Sequence, residues 1–353
     1  MPEGISLADL GEWELIRRLG AFAPPGQFMD DGATVVLDRT GTEEIPAPVG
    51  GVVISTDVLV EGPHFNDTTM AGVDVGWKAA TANLSDLAAM GCHQALGLTV
   101  GLVAPPSTPW SWVEGVYEGI KEALERFGGV LLGGDCSRGK ERILAVTALG
   151  HLPSVRIGSI RRSDGHPGDA LVSTGPHGLS RLGLALLLED PAISRIDQLL
   201  PRAEAMDLRR RARHAHQRPR PRFDAVQMLE ITRPLDQAWR VAGCDSSDGL
   251  AAAVGAIARA SGCGATLERH ALPLDEGMAH LPLAEEWCLS GGEDFELVLA
   301  LEPTWASIMV ERLPGASRIG ELVASTSPGR LCWKPGGEAL TASTFGYSHF
   351  QRS

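Results

Sequence analysis

The sequence predicts an α/β fold in two domains, and three observations carry that expectation. Apolar, β-branched runs that read as strands alternate with longer segments of helical period. The chain has 353 residues, long for one domain and ordinary for two. Near His151 the pattern is interrupted: Pro153, Gly158 and a basic turn at Arg161-Arg162 separate two strand-rich blocks. The expected division is residues 1–151 and 152–353.

Composition narrows the function. Hydrophobic residues make up 44% and charged residues 21%, an ordinary globular balance. A net charge of -13 argues against a nucleic-acid or anionic-membrane binder. An acidic enzyme working on phosphorylated substrates needs cations to screen the repulsion. The six cysteines (Cys92, Cys136, Cys244, Cys263, Cys288, Cys332) are scattered, with no C-x-x-C and no histidine pair at zinc spacing. They read as free thiols in a reducing cytoplasm. The start MPEGISLADLGEWELI lacks the basic and apolar regions of a signal peptide. No apolar run approaches the roughly 20 residues of a membrane helix. The sequons at Asn66 and Asn83 therefore read as chance matches.

The first block begins with a helix over Leu7 to Leu19, with Ser6 as its cap. Asp30-Asp31-Gly32-Ala33 then leads into a strand from Thr34. Adjacent carboxylates there suit a metal, although an Asp-rich turn is equally good chemistry. Val52 to Phe65, VVISTDVLVEGPHF, is the most informative stretch. It reads as a strand from Val52 to Val60, broken at Glu61-Gly62-Pro63, with Asp57 in its middle, costly unless paired or bound to a cation. Ser55 and Thr56 add the hard oxygen donors that Mg2+ prefers. His64 and Phe65 follow the turn. The plainer reading is a strand end at which Asp57 only caps a turn.

Val73 to Met90 reads as a helix, with Gly91 as its C-terminal stop. Asp86 lies late in it, against the helix dipole, so a cation or solvent must compensate it. Leu96 to Val103 is a strand, and a helix starts at Thr108-Pro109. Tyr117 on that helix is either core-edge packing or an aromatic wall of a nucleotide pocket. Val130 to Leu132 reads as a short strand entering Gly133-Gly134-Asp135-Cys136-Ser137-Arg138-Gly139-Lys140. Gly134 to Lys140 mimics a P-loop, but Glu141 stands where a Ser or Thr is needed, and a strand follows where a helix should. What remains is a strand end at which glycines let backbone N–H groups approach a phosphate, with Asp135 beside them.

In the second block, Ala170 to Ser173 is a strand, and Thr174 to Ser180 opens a helix through Leu188. The Arg-dense segment 202–222 reads as a surface loop or as charge balance. Val241 to Leu250 is a strand-to-helix junction carrying Asp245 and Asp248, with Ser246 or Ser247 as the cap of a helix over Leu250 to Ala260. Leu289 to Leu299 repeats the logic: Gly-Gly, an acidic pair, a strand. The tail from Phe345 to Phe350 is aromatic and includes Tyr347.

Asp30, Asp57, Asp86, Asp135, Asp245 and Asp248 thus recur at or beside the ends of apolar elements. A carboxylate-lined cleft holding several Mg2+ ions around a polyphosphate explains that recurrence better than independent caps. No Cys or Ser has a histidine-base pattern for covalent catalysis.

STDVLVEGPHF, NLSDLAAMG, GGD, DSSDGL and SGGEDFEL occur in this order. Together they resemble the thiamine-monophosphate kinase family, within the aminoimidazole ribonucleotide synthetase-like ATP-binding superfamily. The resemblance runs from about Asp30 to Phe350. It implies two α/β domains, an N-terminal sheet that pairs with its twin in a homodimeric barrel, and ATP as co-substrate near that interface. The implied reaction is direct transfer of the γ-phosphate to thiamine monophosphate, assisted by several Mg2+ ions, with no phosphoenzyme. Carried onto this chain, it implies Asp30, Ser55, Thr56, Asp57, Asp86, Asp135, Asp245 and Asp248 as metal ligands. It implies Tyr117, Gly134, Asp135, Arg162 and Ser247 at ATP, with Arg161 as the alternative to Arg162. His64, Glu293 and Tyr347 are implied at thiamine monophosphate. Other members of the superfamily fit less well. Selenophosphate synthetase wants a reactive cysteine near the N-terminus, and the hydrogenase-maturation protein ends in one. A non-catalytic ATP-sensing scaffold is the rival of another class.

Overall fold

The computed structural model describes residues 7–23, 29–35, 51–153, 158–193 and 196–340. Helix α1 (Leu7–Leu19) is broken at Gly11, whose φ of 68° lies outside helical space. The first sheet takes its strands from β1 (Ala33–Val35), β2 (Val52–Val60), β3 (Ala95–Ala104), β4 (Val130–Arg138) and β5 (Ile143–His151), in the order β1-β2-β5-β3-β4. All neighbours are antiparallel except β3 and β4. Two helices, α2 (Gly72–Ala89) and α3 (Trp110–Phe127), supply the crossovers.

Helix α2 is buried nearly all round, between the first sheet on one side and the second block on the other. Its contact with α3 is glycine-made. A Cβ on Gly76 would stand 1.8 Å from the Val116 carbonyl oxygen, and one on Gly119 would stand 1.9 Å from that of Val73. The backbones meet where neither helix has a side chain, which seats α2 deep and carries its last turn to the second sheet.

That second sheet has the order β11-β8-β10-β6-β9-β7, from β6 (Ala170–Ser173), β7 (Ala242–Asp245), β8 (Cys263–Glu268), β9 (Leu297–Leu301), β10 (Ser317–Ala324) and β11 (Leu331–Lys334). Around it lie α4 (Leu179–Leu187), α5 (Ile196–Leu199), α6 (Arg202–Gln217), α7 (Phe223–Thr232), α8 (Leu250–Ala260), α9 (Ala284–Ser290) and α10 (Pro303–Arg312). One apolar cluster runs without a break from Val53 and Leu87 through Ile160 to Val226, Leu299 and Trp305. The two sheets therefore share a core.

Three local expectations change. The Gly-Gly-Asp run does not end a strand: β4 continues through it to Arg138, paired with β3. Gly134 is required there by close strand packing, because a Cβ would sit 1.9 Å from the Val100 oxygen. The Arg-dense segment is mostly helix α6 rather than a loop, and acidic partners balance several of its charges, as the alternative reading expected. Arg211 meets Asp207 at 2.7 Å, and Arg218 meets Asp74 and Glu122, each at 2.6 Å. Helix α8 begins after Gly249 with no side-chain cap. Ser246 Oγ instead hydrogen-bonds His177 Nε2 at 2.9 Å.

Candidate active site

The alternation of a strand sends Ser55 and Asp57 of β2 inward and Thr56 outward. Inward, Ser55 Oγ lies 2.9 Å from the Asp31 carbonyl oxygen and donates to the Asp86 carboxylate. Outward, Thr56 shares a hydrogen bond with Thr147 Oγ1 at 2.9 Å. The Asp57 N–H donates to Asn83 Oδ1 at 3.1 Å, so β2 is tied to α2 one turn before Asp86. Across the cleft, Ser85 donates to Asp245 at 2.8 Å, joining α2 to the end of β7.

The result is a knot of buried carboxylates. One oxygen each from Asp31, Asp86 and Asp245 lies within 4.8 Å of the other two. Asp57 is close enough to be raised by Asp31, after burial itself. Desolvation first, and neighbouring charge second, push Asp57 and Asp245 up to about 6. Asp31 goes up to about 7 by burial, although the Arg162 charge pulls the other way. Asp86 is raised well above the usual range, by burial and then by Asp57 and Asp245. Carboxylates gathered this closely with a serine hydroxyl form an all-oxygen donor set, which suits Mg2+. Without a cation they repel one another at neutral pH.

Asp31 rather than Asp30 reaches this knot. The Asp30 carboxylate accepts the Arg162 N–H at 2.8 Å, while the Asp31 side chain, only 5% exposed, pairs with the Arg162 guanidinium. Of the two adjacent arginines, Arg162 therefore faces the carboxylates, and Arg161 turns to Ser159 Oγ at 3.2 Å. Ser247 and Asp248 sit at the cleft wall beside Asp57 and Thr56. Tyr117, Gly134 and Asp135 gather elsewhere. Tyr117 lies against Cys136 of β4, and Asp135 is exposed on that edge strand. β4 is three strand steps from β2, ~14 Å at the usual spacing. Within one chain these residues do not join the knot.

Of the knot, Asp57 reaches a cleft of about 740 Å³ whose lining also includes His64, Lys78, His216, Asp248 and Glu293. The His64 ring is oriented by the Val60 N–H, which donates to Nδ1 at 3.0 Å. The run Glu293-Asp294-Phe295-Glu296 splits its carboxylates three ways. Asp294 accepts the Gly178 and Ser180 N–H groups at 2.6 and 2.9 Å and so caps α4. Glu296 pairs with Arg222 and accepts Thr174 Oγ1 at 2.6 Å. Only Glu293 of the three lines the cleft. Glu293 and Phe295 have φ of 66° and 52°, conformations side chains seldom adopt, so the flanking bonds hold the loop against its preference. Lys78, 2% exposed, puts Nζ 2.5 Å from Glu293 Oε1. Burial raises the Glu293 carboxyl, but Lys78 and His216 outweigh it and leave the group below its usual range.

Of the adjacent carboxylates that suit a metal, the resemblance carried only Asp30 into the ligand set, and Lys78 and His216 were not singled out from the sequence at all. The signal for Asp31 was its adjacency to Asp30. For Lys78 it was the only basic residue in its helix. His216 gave none. Tyr347 lies outside the described residues.

Comparison with known proteins bears on this arrangement. Residues 30–152 match the family model for the N-terminal domain of AIR synthase related proteins, and residues 166–331 match that for their C-terminal domain. The thiamine-monophosphate kinase of Prochlorococcus marinus is 42% identical over 344 residues, 98% of this chain and 97% of that protein. The chain belongs to the thiamine-monophosphate kinase family. The Bacillus subtilis member is 30% identical over 91% of this chain and 92% of its own length. Among solved structures, one described as AaThiL complexed with AMPPCP and TMP has a TM-score of 0.78 at 25% identity, covering 98% of this chain and 99% of that one. The Aquifex aeolicus thiamine monophosphate kinase gives 0.70 at 25% identity, over 92% and 97%. A HypE–HypF complex, at 17% identity and a TM-score of 0.63 over 92% and 98%, shares the fold.

Proposed function

We propose that this kinase transfers the γ-phosphoryl group of ATP directly to the phosphate of thiamine monophosphate, with the carboxylate knot as its metal-holding centre. The observation that carries the reading is the convergence of Asp31, Asp86 and Asp245 within 4.8 Å, beside Asp57, which lines a cleft large enough for the acceptor. Full-length likeness to named thiamine-monophosphate kinases supplies the substrate class.

Asp31, Asp57, Asp86 and Asp245, with Ser55 Oγ, would hold Mg2+; Thr56, Asp248 and Asp30 are the neighbouring candidates. Bound Mg2+ supplies charge neutralisation of the phosphates during transfer. Arg162, already paired with Asp31, brings a fixed cation to the phosphate side. His64 and Glu293 orient the acceptor from the other side, with Tyr347 proposed as a third contact. Phosphoryl transfer needs positioning and charge compensation more than a protein nucleophile, which fits a cleft built of carboxylates.

The enzyme works as a homodimer in this reading. The outward face of the first sheet leaves Val58 47%, Leu96 44% and Leu131 44% exposed, and every residue of β4 is exposed. An apolar sheet face and edge of this kind call for a partner. A second copy would also bring Tyr117, Gly134 and Asp135, proposed ATP contacts, towards a carboxylate knot. The six free thiols accord with a reducing cytoplasm. Among the described residues no helix is long and apolar enough to cross a membrane.

The test is transfer from γ-labelled ATP and Mg2+ to thiamine monophosphate, free thiamine, an aminoimidazole-ribonucleotide precursor, or no acceptor, in parallel. Label in thiamine diphosphate alone is the expected result. ATP binding without transfer to any acceptor favours the sensing scaffold.

A further inference from the structure

Lys78 carries a charge into the interior that the reaction as described does not use. It comes from the middle of α2, in a stretch otherwise filled with Val75, Ala79, Ala80, Ala82 and Leu84. A lysine in that setting is costly unless its ammonium is met. Two groups meet it, and both belong to the acceptor side of the cleft. Glu293 Oε1 lies 2.5 Å from Nζ, and the His64 carbonyl oxygen accepts from Nζ at 3.3 Å.

These two partners reach the cleft on unrelated elements. His64 comes on the turn after β2, Glu293 on the loop between α9 and β9. Glu293 is also held in a left-handed conformation, φ 66°, and its N–H donates to the Ser247 carbonyl at 2.7 Å. On its far side, Glu293 Oε2 lies 3.4 Å from His216 Nδ1, which shares a contact with Ser180 Oγ at 3.1 Å. Burial, then the Lys78 charge, holds His216 down at about 4, so this imidazole is neutral at working pH. Lys78 is then the cation that compensates Glu293.

We propose that Lys78 is a positioning residue for the acceptor. Resting on the kinase reading above, it fixes the Glu293 carboxylate and the His64 turn at their working separation before thiamine monophosphate arrives. Ordering a glutamate rotamer and a turn beforehand lowers what the acceptor must supply on binding. A carboxylate already neutralised by an internal ammonium also presents itself to the ligand as a hydrogen-bond acceptor more than as a bare charge.

The readout is therefore a split between substrates. In steady-state assays, Lys78→Met should raise KM for thiamine monophosphate at least tenfold. KM for ATP should stay within twofold, and kcat should fall less than KM rises. Titration of thiamine monophosphate without ATP should show the same weakening. Because Lys78→Met strands Glu293 without its partner, the double variant Lys78→Met/Glu293→Gln serves where the single one fails to fold, since it leaves no buried unpaired charge. If Lys78 acts through Glu293, the double variant matches Glu293→Gln alone within twofold in KM for the acceptor. Independent effects that multiply, or a loss confined to kcat or to ATP, overturn the positioning role while leaving the kinase reading intact. A wild-type chain that neither phosphorylates nor binds thiamine monophosphate overturns the kinase reading itself.

Discussion

Replacing Asp57 by asparagine should make the metal-free protein more stable and the enzyme inactive. The side chain keeps its shape, and the bond to Asn83 Oδ1 comes from the Asp57 backbone N–H, which the substitution leaves in place. What is lost is a negative charge that burial, Asp31 and Asp248 oppose. A carboxyl held at about 6 instead of 3.8 costs the fold up to ~3 kcal/mol at pH 7.5, at ~1.4 kcal/mol per pH unit. This is an upper bound, because neighbouring carboxylates relax when one of them takes a proton. For a chain of 353 residues, an unfolding entropy of ~2 cal/mol/K per residue converts that into a rise of about 2–4 °C. The assay is thermal melting in EDTA and again with Mg2+. The variant should melt higher than wild type in EDTA and gain less from Mg2+, with phosphate transfer lost. Equal melting temperatures in EDTA together with an undiminished Mg2+ response would refute the reasoning, since Asp57 would then be neither strained nor a ligand.

Other expectations follow from the same geometry. The stability gap between Asp57→Asn and wild type should close as the pH is lowered. A carboxyl raised in the folded state binds protons more readily there than in the unfolded chain, so its penalty is full above about 6 and gone below about 3.8; melting at several pH values between these limits and 8 checks the sign. Asp294→Ala removes the acceptor of the Gly178 and Ser180 N–H groups and should cost ~1–3 kcal/mol, read by urea unfolding. Gly119→Ala would place a Cβ 1.9 Å from the Val73 oxygen; the α2–α3 contact must then open, and soluble yield or melting temperature should drop sharply. Leu131→Glu puts a charge on the exposed apolar face; if the proposed dimer forms through that face, the variant should run as a monomer in light scattering, with loss of turnover.

Much of the architecture could be read from the chain alone, because period and composition are local properties. The strand at Val52–Val60 and the helices over Leu7–Leu19 and Leu250–Ala260 have the predicted limits. The same local reading stopped β4 too early, since nothing near Gly134 shows that the backbone of β3 lies against it. It also allowed a surface loop at 202–222, where helix α6 forms; the charge balance it offered as the alternative is met by partners of Arg211 and Arg218 that include Asp275, Asp74 and Glu122, all distant in sequence.

What the sequence offered by itself was the chemistry: recurring carboxylates in or beside apolar elements, no Cys or Ser with a histidine-base pattern, and a net charge of -13 that argues against a nucleic-acid partner. Tertiary structure decided which of them act together. Adjacent Asp30 and Asp31 differ in nothing that composition can register, yet one binds a backbone N–H and the other joins Asp86 and Asp245. Glu293, Asp294 and Glu296 look like one acidic run, yet they separate into a cleft wall, a helix cap and an ion pair. The direction of a side chain is set by backbone dihedrals and by what packs around it, and those are fixed only when distant segments meet.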